Sequence, residues 1–170
     1  MSAIVLPFAR RFNFRLLLLA LLAATAAPLQ AQALDFSLPG LSQQTVKLAD
    51  YRGRWVIVNF WASWCSPCLL EMPELQAFYE AHRERVTVIG VNFEDRAADE
   101  VRVFTDQLAV TFPIALSAGH PVPGFELKGL PTTFLISPAG KLVDSHLGPV
   151  DAEMLAERLA AQEKASAPAR

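Results

Sequence analysis

Only two of the 170 residues are cysteine, Cys65 and Cys68, and only three are histidine. A structural zinc site takes four ligands, commonly two Cys-x-x-Cys pairs or one pair with added histidines. His82, His120 and His146 lie far apart without ligand spacing, so no metal and no cofactor is expected. A Cu(I)-binding chaperone module is the alternative, since soft thiolates favour Cu(I), but no methionine or histidine is placed as a third ligand. Basic runs are absent as well. Fifteen Lys and Arg against 17 Asp and Glu leave a net charge of −2, which lacks the electrostatic footprint of a nucleic-acid binder. The longest apolar run, residues 16–27, is shorter than the ~20 residues that cross a bilayer. No internal repeat is visible, and the chain reads as one domain.

What is present begins with a targeting segment. Arg10, Arg11 and Arg15 precede the apolar run, and Ala31-Gln32-Ala33 follows it as an A-x-A cleavage site. Residues 1–33 are expected to be a signal peptide, or an uncleaved anchor, for export to the periplasm. The residues flanking Arg10-Arg11 match a twin-arginine signal poorly and favour the general secretory route. Cleavage would leave 137 residues carrying 12 basic and 17 acidic side chains, a net charge of −5. In an oxidising envelope a pair of thiols stays a disulfide unless something reduces it.

The centre of the chain is Trp61-Ala62-Ser63-Trp64-Cys65-Ser66-Pro67-Cys68, between an apolar β-type run at residues 54–60 and a helical pattern over residues 66–82. A Cys-x-x-Cys at a strand-to-helix junction reads as a redox pair. Cys65 falls at the helix N-terminus, where unpaired N–H groups and the helix dipole favour a thiolate. It is the expected nucleophile, and Cys68, one turn in and shielded, the resolving thiol. Leu69, Met72, Leu75, Phe78 and Tyr79 form the apolar stripe, with a kink expected at Pro73. Glu71 and Glu74 read as solvated, dipole-favourable acids of the early turns.

Short strands are expected around Phe36-Ser37-Leu38 and Val46-Lys47-Leu48, a helical turn over residues 48–51, a buried strand at 86–93, a helix at 99–108 and a third strand at 112–116. Residues 117–129, broken by Pro121, Pro123 and Gly124, read as a loop. A hairpin over residues 132–147 and an Asp151-capped helix over 152–162 complete the pattern. Residues 34–163 form the domain and 164–170 a disordered tail. The succession β-α-β-α-β-β-α defines an α/β protein with one sheet.

The cysteine segment, extended by Leu69-Leu70-Glu71-Met72-Pro73-Glu74-Leu75, resembles the thioredoxin superfamily, and within it the exported TlpA/ResA/DsbE-like thiol–disulfide oxidoreductases. Gly129-Leu130-Pro131-Thr132-Thr133-Phe134-Leu135-Ile136 resembles that family's cis-proline loop. The resemblance spans nearly all of residues 34–160. It implies a thioredoxin-like fold, a central mixed sheet flanked by helices with an added N-terminal β-hairpin, and a Cys65–Cys68 disulfide. It also implies a cis Pro131 against the cysteines, a Leu130 backbone free to pair with a partner's extended chain, and Trp64 as an apolar lid. Trp61 reads equally as site or core.

Thioredoxin itself carries a buried aspartate where this chain has Asn59. Exported relatives place an acid after the next strand, which points to Asp95 or Glu94 as a buried proton partner of raised pKa. His120 and His146 read as surface or satisfied histidines. The activity implied is reduction of disulfides in exported proteins, apocytochrome c or copper-delivery proteins among them. Electrons would come from a membrane thiol donor, and the protein would be a monomer. The alternative direction is net oxidation of thiols.

Overall fold

The computed structural model describes residues 33–42 and 44–167, so residues 1–32 of the expected signal segment and 168–170 of the expected tail lie outside the described residues. In chain order the elements are β1 (Ser37–Pro39), β2 (Thr45–Lys47), a 3-10 turn (Leu48–Tyr51), β3 (Trp55–Trp61), α1 (Ser66–His82), β4 (Val86–Asn92), α2 (Ala98–Gln107), β5 (Ile114–Leu116), β6 (Thr132–Ile136), β7 (Leu142–Leu147) and α3 (Ala152–Ser166). β1 and β2 pair antiparallel as a separate hairpin. The other strands form one mixed sheet in the order β5-β4-β3-β6-β7. β5 runs parallel to β4. α1 continues through Pro73, whose ring lies on the exposed side.

β3 and β4 are buried along their whole length, which explains their apolar composition without alternation. The pleat still sorts their side chains. Trp55, Ile57 and Trp61 face a core with Met72, Leu75 and Phe78 of α1, Val101 of α2, and Leu155 and Leu159 of α3. Val56, Val58 and Phe60 face a second core made with Phe36, Val46 and Leu48 of the N-terminal segment. The N-terminal segment therefore covers part of the second sheet face. Residues 117–129 cover more of it without regular structure. Val122 and Phe125 are buried, and the Phe125 ring packs 5.2–5.9 Å from the rings of Phe36, Phe60 and Phe134.

α3 runs past the expected end at residue 162 to Ser166, so residues 164–166 belong to the helix rather than to a tail. The expectation rested on small and polar residues, but alanine is the strongest helix former. Asp151 caps α3 as expected, its Oδ1 accepting from the Met154 N–H at 2.7 Å.

Gly90 lies within β4, close against its neighbours. A Cβ there would stand 2.8 Å from Ile114 Cδ1, 3.1 Å from Phe112 and 3.2 Å from Trp61 Nε1. Gly90→Ala is expected to cost about 1–3 kcal/mol by overpacking. Equilibrium denaturation checks this, and an unchanged midpoint would show that the Ile114 side chain yields freely.

Candidate active site

Strand directions bring the chemistry together. β3 and β4 are parallel and β3 and β6 antiparallel, with Trp61 opposite Asn92 and Phe60 opposite Thr132. The end of β3, the end of β4 and the start of β6 thus meet at one edge of the sheet. Cys65, Glu94 and Pro131 each follow or precede those strand ends by a few residues.

Cys65 and Cys68 form a disulfide. Cys65 is the N-cap residue of α1 and Ser66-Pro67 opens the helix, so proline occupies a position whose N–H has no partner in the helix. Cys65 is 5% exposed and Cys68 0%. The order of accessibility is the expected one, although in the disulfide form the first cysteine is itself nearly covered. Trp64 stands out at 66% exposed, a large apolar surface beside the disulfide, whereas Trp61 is fully buried and belongs to the core. The Leu130–Pro131 peptide is cis. Leu130 makes no backbone hydrogen bond among the described residues, while the next carbonyl, of Pro131, accepts from Gly148.

The acids differ most from expectation. Glu71 is not solvated but 2% exposed. It lies three residues after Cys68, on the same face of α1. Its Oε1 accepts from Asn59 Nδ2 at 2.8 Å and its Oε2 from the Val150 N–H at 2.8 Å. Burial pushes its pKa up to about 7, against the lowering effect of those two bonds. Asn59 Nδ2 also donates to Thr133 Oγ1 at 3.0 Å, and Asn59 Oδ1 has no partner. Glu74, by contrast, is exposed as expected.

Glu94 is buried, but its pKa moves the opposite way from the one expected. Burial alone would raise it. Hydrogen bonds from Asn92 and from the Ser63 N–H and hydroxyl, with Arg96 nearby, outweigh burial and hold the carboxyl below its ordinary value. Asp95 is exposed. The carboxyl of raised pKa is Glu71, whereas that of Glu94 is lowered. The signal was present in the sequence. Residues 68, 71, 72, 75 and 76 are all buried along α1, so Glu71 interrupts an inward-facing stripe that the helix-dipole argument ignores. His120 is exposed, and His146, opposite Thr133 in the sheet, meets Arg158 at 3.1 Å.

A five-stranded mixed sheet with three helices, a Cys-x-x-Cys at a helix N-terminus and a cis-proline at the same sheet edge define a thioredoxin-like thiol–disulfide oxidoreductase. Comparison with known proteins agrees: the AhpC/TSA family profile matches residues 29–145, and the chain belongs to that family. It is 33% identical over 130 residues to the thioredoxin-like protein YneN of Bacillus subtilis, covering 75% of this chain and 76% of that one. The thiol-disulfide oxidoreductase ResA of Halalkalibacterium halodurans is 33% identical over 128 residues, covering 74% and 72% of the two chains. The crystal structure of StoA from Bacillus subtilis superposes with a TM-score of 0.63 at 31% identity, covering 75% of this chain and 97% of that one.

Proposed function

We propose that this oxidoreductase works in the periplasm as a reductant of disulfides in selected exported proteins, of the apocytochrome c or copper-delivery kind, recharged by a membrane thiol donor. The signal-like residues 1–33 support the location. The observation that carries the direction is Glu71, a buried acid one turn beyond Cys68. A carboxylate there disfavours a neighbouring thiolate. Destabilising the ionised dithiol favours the disulfide form of this protein, which makes its reduced form a stronger electron donor.

The chemistry follows the geometry. The Cys65 thiolate attacks one sulfur of the substrate disulfide, which breaks and releases a substrate thiolate. Cys68 gives its proton to Glu71, and the Cys68 thiolate attacks the Cys65 sulfur of the mixed disulfide. The Cys65–Cys68 bond closes, the second substrate thiolate leaves, and two electrons have passed to the substrate. An extended substrate segment pairs with the Leu130 backbone while its apolar side chains meet Trp64.

Equilibration with glutathione tests the direction. A potential near thioredoxin's, about −270 mV, is expected, and a value near the about −120 mV of DsbA would make the protein an oxidant. In the reduced protein Cys65 should be alkylated quickly and Cys68 slowly, since only the first lies at the helix end. Equal rates would reverse or erase the assigned roles.

A further inference from the structure

The chain between β3 and α1 carries both Trp64 and Cys65, yet its backbone is held by little regular structure. Cys65 N–H donates to Ala62 O at 3.1 Å, and Phe93 N–H to Trp61 O at 2.8 Å. At its far end Cys65 O accepts from the Leu69 N–H at 3.1 Å and Cys65 is bonded to Cys68, while Ser63 is held by one side chain from beyond β4. Glu94 Oε1 accepts from the Ser63 N–H at 3.0 Å and from Asn92 Nδ2 at 2.7 Å. Its Oε2 accepts from the Ser63 hydroxyl at 3.0 Å, with Arg96 Nε 3.4 Å away. Both oxygens are occupied, and the Glu94 side chain is 6% exposed.

The geometry points to Glu94 as a positioning residue, a buried carboxylate that ties Ser63 to the end of β4 and so fixes the segment bearing Trp64 and Cys65. Three features carry this. Hydrogen bonds to an ionised acceptor are about twice as strong as neutral ones, so the clamp is stiff. Ser63 offers both its N–H and its hydroxyl to the same carboxylate, which fixes the residue in orientation as well as position. And Ser63 is only two residues from Cys65, so slack there passes directly to the attacking sulfur. Displacement of a reacting group by an ångström can cost about 10²-fold in rate. Glu94 holds a charge rather than moving a proton, which separates its role from that of Glu71. The inference rests on Cys65 being the attacking thiol.

Glu94→Ala, Glu94→Gln and Ser63→Ala in the full chain test it, with Cys65→Ser as reference. The readouts are the reaction rate of the reduced protein with glutathione disulfide, the ratio of Cys65 to Cys68 alkylation, and native circular dichroism. Glu94→Ala should slow exchange roughly 10-fold or more and reduce the Cys65 to Cys68 alkylation ratio. Glu94→Gln should recover most of the loss, because its Oε1 still accepts from Ser63 and Asn92 and its amide can donate to the Ser63 hydroxyl. Ser63→Ala, which deletes one donor and leaves the fold's core untouched, should slow exchange a few-fold, and it decides the question if Glu94→Ala does not fold. Wild-type rates and an unchanged alkylation ratio in Ser63→Ala and in folded Glu94→Ala would overturn the assignment. So would a Glu94→Gln variant as slow as Glu94→Ala. Exchange that survives in Cys65→Ser would instead overturn the assigned roles of the cysteines.

Discussion

Glu71→Gln is expected to remove a near-neutral inflection from the pH dependence of disulfide exchange and to slow exchange at pH 7 on the order of 10²-fold, the low end of what a positioned proton carrier contributes. In the wild type Glu71 titrates at about 7 because burial penalises its charge. Below that pH it holds a proton and cannot take one from Cys68, so the rate should rise through neutrality. The amide accepts no proton at any pH. Its geometry is otherwise conservative. The amide oxygen of the new side chain can accept from the Val150 N–H, and the Asn59 amide can turn its unpartnered Oδ1 toward the new N–H₂. Stability gives a second signature. The ordinary carboxyl value is 4.5 and the folded value about 7, so between them the native state keeps a proton that the unfolded chain releases. Wild-type stability is then fully present below pH 4.5 and falls by about 1.4 kcal/mol per pH unit as pH rises to 7. Denaturation of the Glu71→Gln variant should lose that slope. A variant with the wild-type pH–rate profile would remove Glu71 from the mechanism.

Asn59→Asp should be the most damaging conservative change in the site. It replaces a donor 2.8 Å from Glu71 Oε1 with a second carboxyl, at a position 0% exposed. Two carboxyls in contact cannot both ionise, so one pKa is driven strongly upward. The native pair then retains protons that the unfolded chain gives up above its ordinary carboxyl range, and stability falls as pH rises. At pH 4 the cost should be small. By pH 7 it should reach about 3–5 kcal/mol, the scale of an uncompensated buried charge. Denaturation midpoints at the two pH values measure this. An equal loss at both would mean that the damage is steric rather than electrostatic.

The segment around the cysteines was legible because its chemistry is local. A strand that is apolar throughout, a helix opened by Ser66-Pro67 and two cysteines a turn apart fix the redox pair from neighbouring residues alone. The hairpin, the Leu48–Tyr51 turn and the Asp151 cap were legible for the same reason, and the cis bond at Pro131 came from resemblance rather than from local pattern. The end of α3 was missed because composition was read as disorder where alanine favours helix.

The stripe of α1 placed Glu71 inward, but what each acid meets needed the tertiary structure. Glu71 and Glu74 are three residues apart on one helix, and the helix dipole treats them alike. They differ because one is buried against Asn59 of the central strand and the Val150 N–H, while the other is exposed and meets the Ala152 N–H at 3.3 Å. Glu94 and Asp95 are adjacent, yet only Glu94 meets Asn92, two residues before it, and Ser63, which the parallel pairing of β3 with β4 brings alongside. Sequence determined which residues could ionise and where the thiols sit along the chain. That the Glu71 carboxyl is raised and the Glu94 carboxyl lowered depends on desolvation and on donors from elsewhere in the fold, and those are in place only once the sheet has formed.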